Sequence, residues 1–233
     1  MTTPESVTQL GEASGSAITP GRDARWAVAA ELMPSADVWF ARRIVEDFSP
    51  PHSSPADHRS VQAANRDQVL AFIDEHHDAL HRSCLTGHLT GSAWVVDHNA
   101  ERGLILHHAK IQRWLQPGGH ADGDANLAGV ALNEATEETG IDGLEVWTAP
   151  IDIDIHLFVN RKSAEADHFH FDVRFLVRAP RGAVFVGNHE SEALRWVDDA
   201  GLCDPELGLD ASTVRLAECA FALARGDAVR QLG

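Results

Sequence analysis

The sequence has few cysteines, no long apolar run and little positive charge. Its three cysteines, Cys84, Cys203 and Cys219, show no pair spacing, which argues against a disulfide framework or a zinc site and predicts buried free thiols. No run approaches the roughly 20 apolar residues that span a membrane, and residues 1–20 lack the basic start and apolar stretch of a targeting peptide. We therefore expect a soluble, cytoplasmic protein.

Basic residues are outnumbered, with 19 Lys and Arg against 35 Asp and Glu and a formal net charge of −16. Such a surface repels nucleic acids and anionic membranes, because binding to phosphates requires clustered Lys and Arg. We therefore expect no long nucleic acid and no membrane among the partners. A small phosphorylated metabolite or nucleotide remains compatible, since a metal ion and one or two local cations can offset the overall charge.

Three glutamates follow a glycine-rich turn. Glu134, Glu137 and Glu138 stand at i, i+3 and i+4, so they share one face of a helix. The opposite arc carries Ala125, Ala128, Leu132 and Ala135, which suit close packing against a sheet. Like charges at this spacing repel, whereas Mg²⁺ takes carboxylate ligands, so the face is a candidate metal platform. The alternative is a solvated acidic helix.

Residues 119–141 resemble the Nudix box. That pattern reads Gly, five residues, Glu, seven residues, Arg-Glu, an aliphatic, any residue, Glu-Glu, any residue, Gly and an aliphatic. Aligned on Gly140, the sequence retains Gly119, Glu134, Glu137, Glu138 and Ile141. The Pro-Gly-Gly run at 117–119 is also similar to the lead-in of many Nudix hydrolases.

The sequence departs from the box at two positions. Ala125 replaces the first glutamate and Asn133 replaces the arginine, so both halves of a supporting ion pair are absent. Asp124, one residue earlier, is a candidate substitute for the missing carboxylate. These departures leave two functions open: an active hydrolase, or a catalytically impaired Nudix-like nucleotide-binding module.

The resemblance implies a hydrolase that cleaves a diphosphate linkage in a nucleoside diphosphate derivative or similar small metabolite. It implies Mg²⁺, with Mn²⁺ as a substitute, held by Glu134, Glu137, Glu138 and the backbone carbonyl of Gly118. Glu134 or a glutamate of a late loop would accept the proton of the attacking water. Of the two late-loop glutamates, Glu190 and Glu192, we choose Glu190. Substrate identity stays open.

We divide the chain into a disordered tail at residues 1–22, an N-terminal helical extension at 23–86 and a Nudix hydrolase domain at 87–233. The sequence pattern predicts helices at 37–48, 66–82 and 211–225, a hairpin from strands 91–97 and 104–108, and a strand at 193–197. The resemblance implies a further helix at about 125–139. The resemblance implies an α/β (α+β) fold, an α/β/α sandwich with a mixed sheet. The N-terminal helices offer a surface for a homodimer.

Two further segments, 151–157 and 168–175, alternate with period two and could pair as an antiparallel hairpin. Pairing would place the following on one face: Asp152, Asp154, His156, His168, His170, Asp172 and Arg174. Either opposite charges pair across a half-solvated sheet, or the face lines the substrate cleft opposite the glutamate helix, with His170 and Arg174 contacting phosphate or base. A metal site of His168, His170 and Asp172 is a third interpretation. Lys110 and His120 are further candidates for substrate contact.

Overall fold

The computed structural model describes residues 25–51, 54–159 and 166–231, with side chains described as far as residue 226. The tail predicted at residues 1–22 lies outside these ranges. The described helices are α1 (Val38–Glu46), α2 (Ala56–Glu75), α3 (Leu127–Thr139) and α4 (Ala211–Gln231), with short 3₁₀ helices at Ala29–Glu31 and Gly201–Cys203. None of the described helices is both long and apolar enough to cross a bilayer.

Within the described ranges, nine strands form one mixed sheet. They are β1 (Trp26–Ala27), β2 (Gly87–Val96), β3 (Gly103–His108), β4 (Arg113–Leu115), β5 (Gly118–His120), β6 (Glu145–Trp147), β7 (Asp152–Phe158), β8 (His168–Arg178) and β9 (Ser191–Val197). Strands β2 and β8 are parallel at the centre, and antiparallel strands flank them. The predicted β2–β3 hairpin is present, with Val95 opposite Leu104.

Helices cover both faces of the sheet, which gives the predicted α/β/α layering. Residues such as Leu89 and Val95 pack with α1, α2 and α3 in one hydrophobic core. The alternate residues, such as Trp94 and Val96, pack with α4 in a second core. Because α1 and α2 bury Val45 and other side chains in the same core as α3, they are integral to the sandwich.

The N-terminal helices differ from the prediction in their bounds. Helix α1 begins after Asp37, whose side chain accepts a hydrogen bond from the Trp39 N–H at 3.1 Å and caps the helix. Helix α2 begins at Ala56 and ends at Glu75, whereas the apolar pattern predicted 66–82. Its first half carries only one apolar residue larger than alanine, Val61, and is held by polar contacts, including Gln62 to Asp152 at 2.9 Å. Hydrophobic periodicity therefore missed it.

The helix α3 lies very close to the sheet. The predicted small-residue stripe is buried, with Ala128, Leu132 and Ala135 at most 2% exposed. Directly beneath the helix, β2 carries Gly91, and a Cβ atom there would lie 2.9 Å from the Leu127 carbonyl oxygen. A glycine at this position therefore allows the helix and the strand to approach.

We predict that Gly91→Ala lowers the free energy of unfolding by about 1–3 kcal/mol, because the new methyl group meets helix backbone rather than a flexible side chain. Urea denaturation followed by circular dichroism measures this. Gly226→Ala is the control, since no heavy atom lies within 4 Å of its Cβ position and alanine favours the helix. Equal stability of Gly91→Ala and wild type would contradict the close packing.

Candidate functional site

Strand β5 holds two of the three glutamates against the sheet. The Glu134 carboxylate occupies the space beside Gly119 where any side chain would place its Cβ. The N–H of Gly118 donates a hydrogen bond to Glu138 Oε2 at 2.9 Å. The two glycines thus accommodate two carboxylates, so the glycine strand and the glutamate helix lie directly against each other.

The three glutamates have different environments. Glu138 is 2% exposed, Glu134 is half-buried and Glu137 is exposed. Burial, followed by the charge of Glu137, raises the pKa of Glu134 to about 7. Burial also raises the pKa of Glu138 to about 8, although the hydrogen bond from Gly118 acts in the opposite direction. A cluster of oxygen ligands whose negative charges destabilise one another fits a hard divalent cation.

A fourth carboxylate, Glu190, joins this cluster from a distant loop. Its charge raises the pKa of both Glu134 and Glu138. The loop crosses the end of α3, where the N–H groups of residues 186 and 187 donate to the Thr139 carbonyl at 2.9 and 3.0 Å. The Glu190 carbonyl then accepts a hydrogen bond from the N–H of residue 109 at 2.8 Å. These contacts fix the position of Glu190.

The two remaining candidates of this region, Lys110 and Glu192, lie in different surroundings. Lys110 Nζ lies 3.9 Å from Glu190 Oε1, and its side chain is 80% exposed. The exposed carboxylate of Glu192 accepts a hydrogen bond from Gln112 at 2.8 Å and lies 3.1 Å from His107 Nδ1. The structure thus brings Glu190 and Lys110 to the carboxylate cluster and engages Glu192 elsewhere.

The loop before α3 is braced by the N-terminal part of the chain. Ala125, fully buried, donates its N–H to the Ser35 carbonyl at 2.6 Å. Asp124 Oδ1 accepts hydrogen bonds from the N–H groups of Ser35 and Asn126 at 2.9 and 2.8 Å. Asp124 therefore anchors the loop instead of facing the glutamates.

A second brace lies at the start of the same loop. Arg82 and Asp122 form a two-point ion pair, with both N–O distances at 2.7 Å. Asn133, which stands at the arginine position of the box, is exposed. The sequence gives no local signal of the contacts that Ser35 and Arg82 make with this loop, because both residues are distant from it along the chain.

The predicted hairpin of β7 and β8 is present, and its polar residues share one face, with Asp152 opposite Arg174 and His156 opposite His170. Its charges pair across the strands, but they are buried rather than half-solvated. The Arg174 guanidinium is 2% exposed and contacts Asp172, Asp152 and Asp154 at 2.7, 3.2 and 3.3 Å. Although burial opposes it, these carboxylates raise the pKa of Arg174 above its usual value.

Helix α4 completes this ion network, and the sheet lies between the network and the glutamates. Arg215 contacts Asp152 and Asp154, each at 2.9 Å. On β2, the hydroxyl groups of Thr90 and Ser92 donate hydrogen bonds to Asp172. Gly91, which lies between them, faces α3. Strand alternation therefore places Arg174 on the opposite side of the sheet from the glutamates. The buried position of Arg174 differs from the expected contact with substrate. The sequence pattern gave no indication of the part that Arg215 takes in this network.

The two predicted histidine contacts also lie on the α4 side of the sheet. His120, opposite Thr90, and His170, opposite His88, form a cluster with His88 and His168. Burial lowers the pKa of His120 to about 4 and also lowers the pKa of His170. Asp172 is not part of this cluster, because it is engaged by Arg174 and two hydroxyl groups.

The cysteines partly match the expectation. Cys84 and Cys219 are buried and free, whereas Cys203 is free but exposed at the short 3₁₀ helix. Cys219 lies 3.4 Å from the hydroxyl oxygen of Ser54. The exposed position of Cys203 corrects the expectation that all three thiols are buried.

Solved structures with a similar fold include several Nudix hydrolases. One is a C. elegans Ap4A hydrolase binary complex, at 15% identity and TM-score 0.47, covering 59% of this chain and 98% of that one. A Nudix-family hydrolase from Clostridium perfringens matches at 18% identity and TM-score 0.44, covering 58% and 97%. The Nudix domain of Shewanella oneidensis NrtR, complexed with ADP ribose, matches at 18% identity and TM-score 0.39, covering 59% and 86%.

No protein-family model and no curated protein matches the chain. At the identities and TM-scores of the solved structures, the likeness assigns neither activity nor ligand to this chain. The side chains of the site itself therefore have to support any functional proposal.

We predict that Arg174→Met lowers the free energy of unfolding by about 3–5 kcal/mol, because Asp172 loses its buried counter-charge and Asp152 and Asp154 keep only Arg215. Arg113→Met is the control, since its pair with Asp210 is about half exposed and should contribute at most about 1 kcal/mol. Urea denaturation compares them. A stable Arg174→Met variant with altered ligand binding would instead support the substrate-contact interpretation.

We predict a pH-dependent gain in stability for Glu138→Gln in metal-free buffer. The folded protein binds the Glu138 proton more tightly than the unfolded chain, whose pKa stays near 4.5. This group's contribution to the free energy of unfolding therefore falls as the pH rises from about 4.5 to about 8. Relative to wild type, Glu138→Gln should be equally stable near pH 4 and more stable at pH 8, by on the order of a few kcal/mol. A stability difference that stays constant with pH would contradict the raised pKa.

Proposed function

We propose that the chain is a Nudix-type pyrophosphohydrolase that cleaves a diphosphate linkage in a nucleoside diphosphate derivative or similar small metabolite. The observation that carries this proposal is that Glu134 and Glu138 lie together against the glycine strand β5, with Glu190 near enough for its charge to raise the pKa of both. These carboxylates come from a helix and a distant loop, and a purely solvated acidic helix would not bury Glu138. The exposed Glu137 completes the oxygen set.

The carboxylates of Glu134, Glu137 and Glu138, with the carbonyl of Gly118, are the proposed ligands of Mg²⁺ or Mn²⁺. A bound divalent ion would lower the pKa of the attacking water and offset charge on the phosphate oxygens. Gly119 leaves room for the Glu134 carboxylate to lie against the backbone of β5, next to the proposed ion.

The remaining steps belong to the chain's own side chains. A carboxylate oxygen of Glu190, or of Glu134, accepts the proton of the attacking water. Glu190 is about one-third exposed, so water can reach it. The Lys110 ammonium would contact a phosphate oxygen of the substrate, and its exposed position 3.9 Å from Glu190 supports this role. Together they supply a base and a local cation in a chain with a large negative charge.

Because Ala125 and Asn133 replace the glutamate and arginine of the Nudix box, a second candidate function is a nucleotide-binding module without turnover. The contacts of Ser35 with Asp124 and of Arg82 with Asp122 support the active form, because they brace the loop that the missing ion pair would otherwise hold. A cytoplasmic location and a homodimer through the N-terminal helices stay predictions.

We predict that wild-type protein with Mg²⁺ releases phosphate or nucleoside monophosphate from at least one member of a panel of nucleoside diphosphate derivatives. If Glu190 is the base, Glu190→Gln should lower kcat by about 10²–10⁴-fold. Glu192→Gln should retain the wild-type rate, because its carboxylate is engaged by Gln112 and His107. Glu138→Gln should abolish release.

Binding measured by calorimetry separates the two functions. Nucleotide binding with no release from any substrate would establish the binding module and contradict the hydrolase. Equal activity of Glu190→Gln and wild type would shift the role of base to Glu134.

A further inference from the structure

Four histidines converge on the α4 side of the sheet. His88 comes from β2, His120 from β5, and His168 and His170 from β8. Each offers a ring nitrogen, and these four atoms all lie within 4.8 Å of one another. Imidazoles from three strands thus meet at one end of the sheet, on the opposite face from the glutamates.

The closest pair already has the spacing of two metal ligands. His168 Nε2 lies 3.2 Å from His170 Nε2. Two nitrogens bound at about 2.0–2.1 Å to a tetrahedral zinc ion lie about 3.3 Å apart. A hydrogen bond between the two rings would give the same distance, so the other contacts of the cluster matter.

The tautomer of His168 favours metal binding. His168 Nδ1 lies 2.8 Å from the Ala166 carbonyl oxygen, which can only accept, so Nδ1 carries the hydrogen. The lone pair of Nε2 therefore points to the cluster. Metal-bound histidines commonly donate their second ring nitrogen to a backbone carbonyl in this way.

The surroundings are dry and contain a neighbouring carboxylate. His88, His168 and His170 are at most 9% exposed, and the Phe158 ring stacks on His170 at 4.9 Å. Asp154 lies 3.2 Å from the ring of His156, which is 5.3 Å from the His170 ring. Burial, which lowers the pKa of His170, keeps that imidazole neutral, as a metal ligand must be.

We propose that His88, His120, His168 and His170 bind one transition-metal ion, with zinc as the preferred ion. Imidazole suits zinc, whereas Mg²⁺ prefers oxygen ligands, so the site is chemically distinct from the glutamate cluster. Four protein ligands leave no open coordination position, which indicates a structural role. The ion ties β2, β5 and β8 together. The cysteine pattern could not indicate this site, and the expected ligand Asp172 is replaced by two histidines from other strands.

The test uses the full chain, stripped with a chelator, dialysed and titrated with Zn²⁺ against a chromophoric chelator. We expect one zinc per chain at the histidines and a higher Tm with zinc. His168→Gln and the half-buried His120→Gln should each weaken zinc binding by at least about 100-fold, the upper end of what loss of a supporting contact costs. Circular dichroism checks that both variants fold, and His120→Gln is the milder replacement.

Two controls make the outcome decisive. His98→Gln, an exposed histidine that contacts Arg181, should bind zinc like wild type. Glu138→Gln should also retain the zinc, whether or not hydrolase activity exists. The proposal is overturned if wild type binds no zinc, if the histidine variants bind it equally well, or if Glu138→Gln loses it.

Discussion

The close contact between α3 and strands β2 and β5 determines the rest of the candidate site. Gly91 allows the helix backbone to approach the sheet, and Gly119 leaves room for the Glu134 carboxylate. With the helix at this distance, the Gly118 N–H reaches Glu138. A side chain at either glycine position would separate helix and sheet, and the carboxylates would lose their common position. The positions of the glycines and glutamates along the sequence therefore follow from a single requirement, the close packing of α3 on the sheet.

This arrangement places ionisable groups where they destabilise one another. Burial and mutual repulsion raise the pKa values of Glu134 and Glu138 to about 7 and about 8. A chain under selection for stability alone would gain from replacing one of them with glutamine. Retaining both is reasonable if a cation binds them, because the ion converts the repulsion into attraction. The Arg174 network is the opposite case, since its carboxylates are matched by two buried arginines.

Local patterns in the sequence predicted the parts of the fold that depend on local physics. The period of two in residues 151–157 and 168–175 predicted both the hairpin and the face that its polar residues share. The glycine and glutamate spacing predicted α3 and its buried face. The polar first half of α2 gave no hydrophobic signal, and its start was missed. Long-range contacts were also hidden: nothing local shows that Arg215 reaches Asp152, that Arg82 braces Asp122, or that His88 joins His170.

The central claim is that Glu134, Glu137 and Glu138 hold one divalent ion next to β5. Anomalous diffraction from a crystal soaked in Mn²⁺ measures this directly, because it locates the ion independently of activity. The account predicts a single peak about 2.0–2.3 Å from carboxylate oxygens of these residues. A crystal soaked in saturating Mn²⁺ that shows no anomalous peak among these carboxylates would contradict the claim.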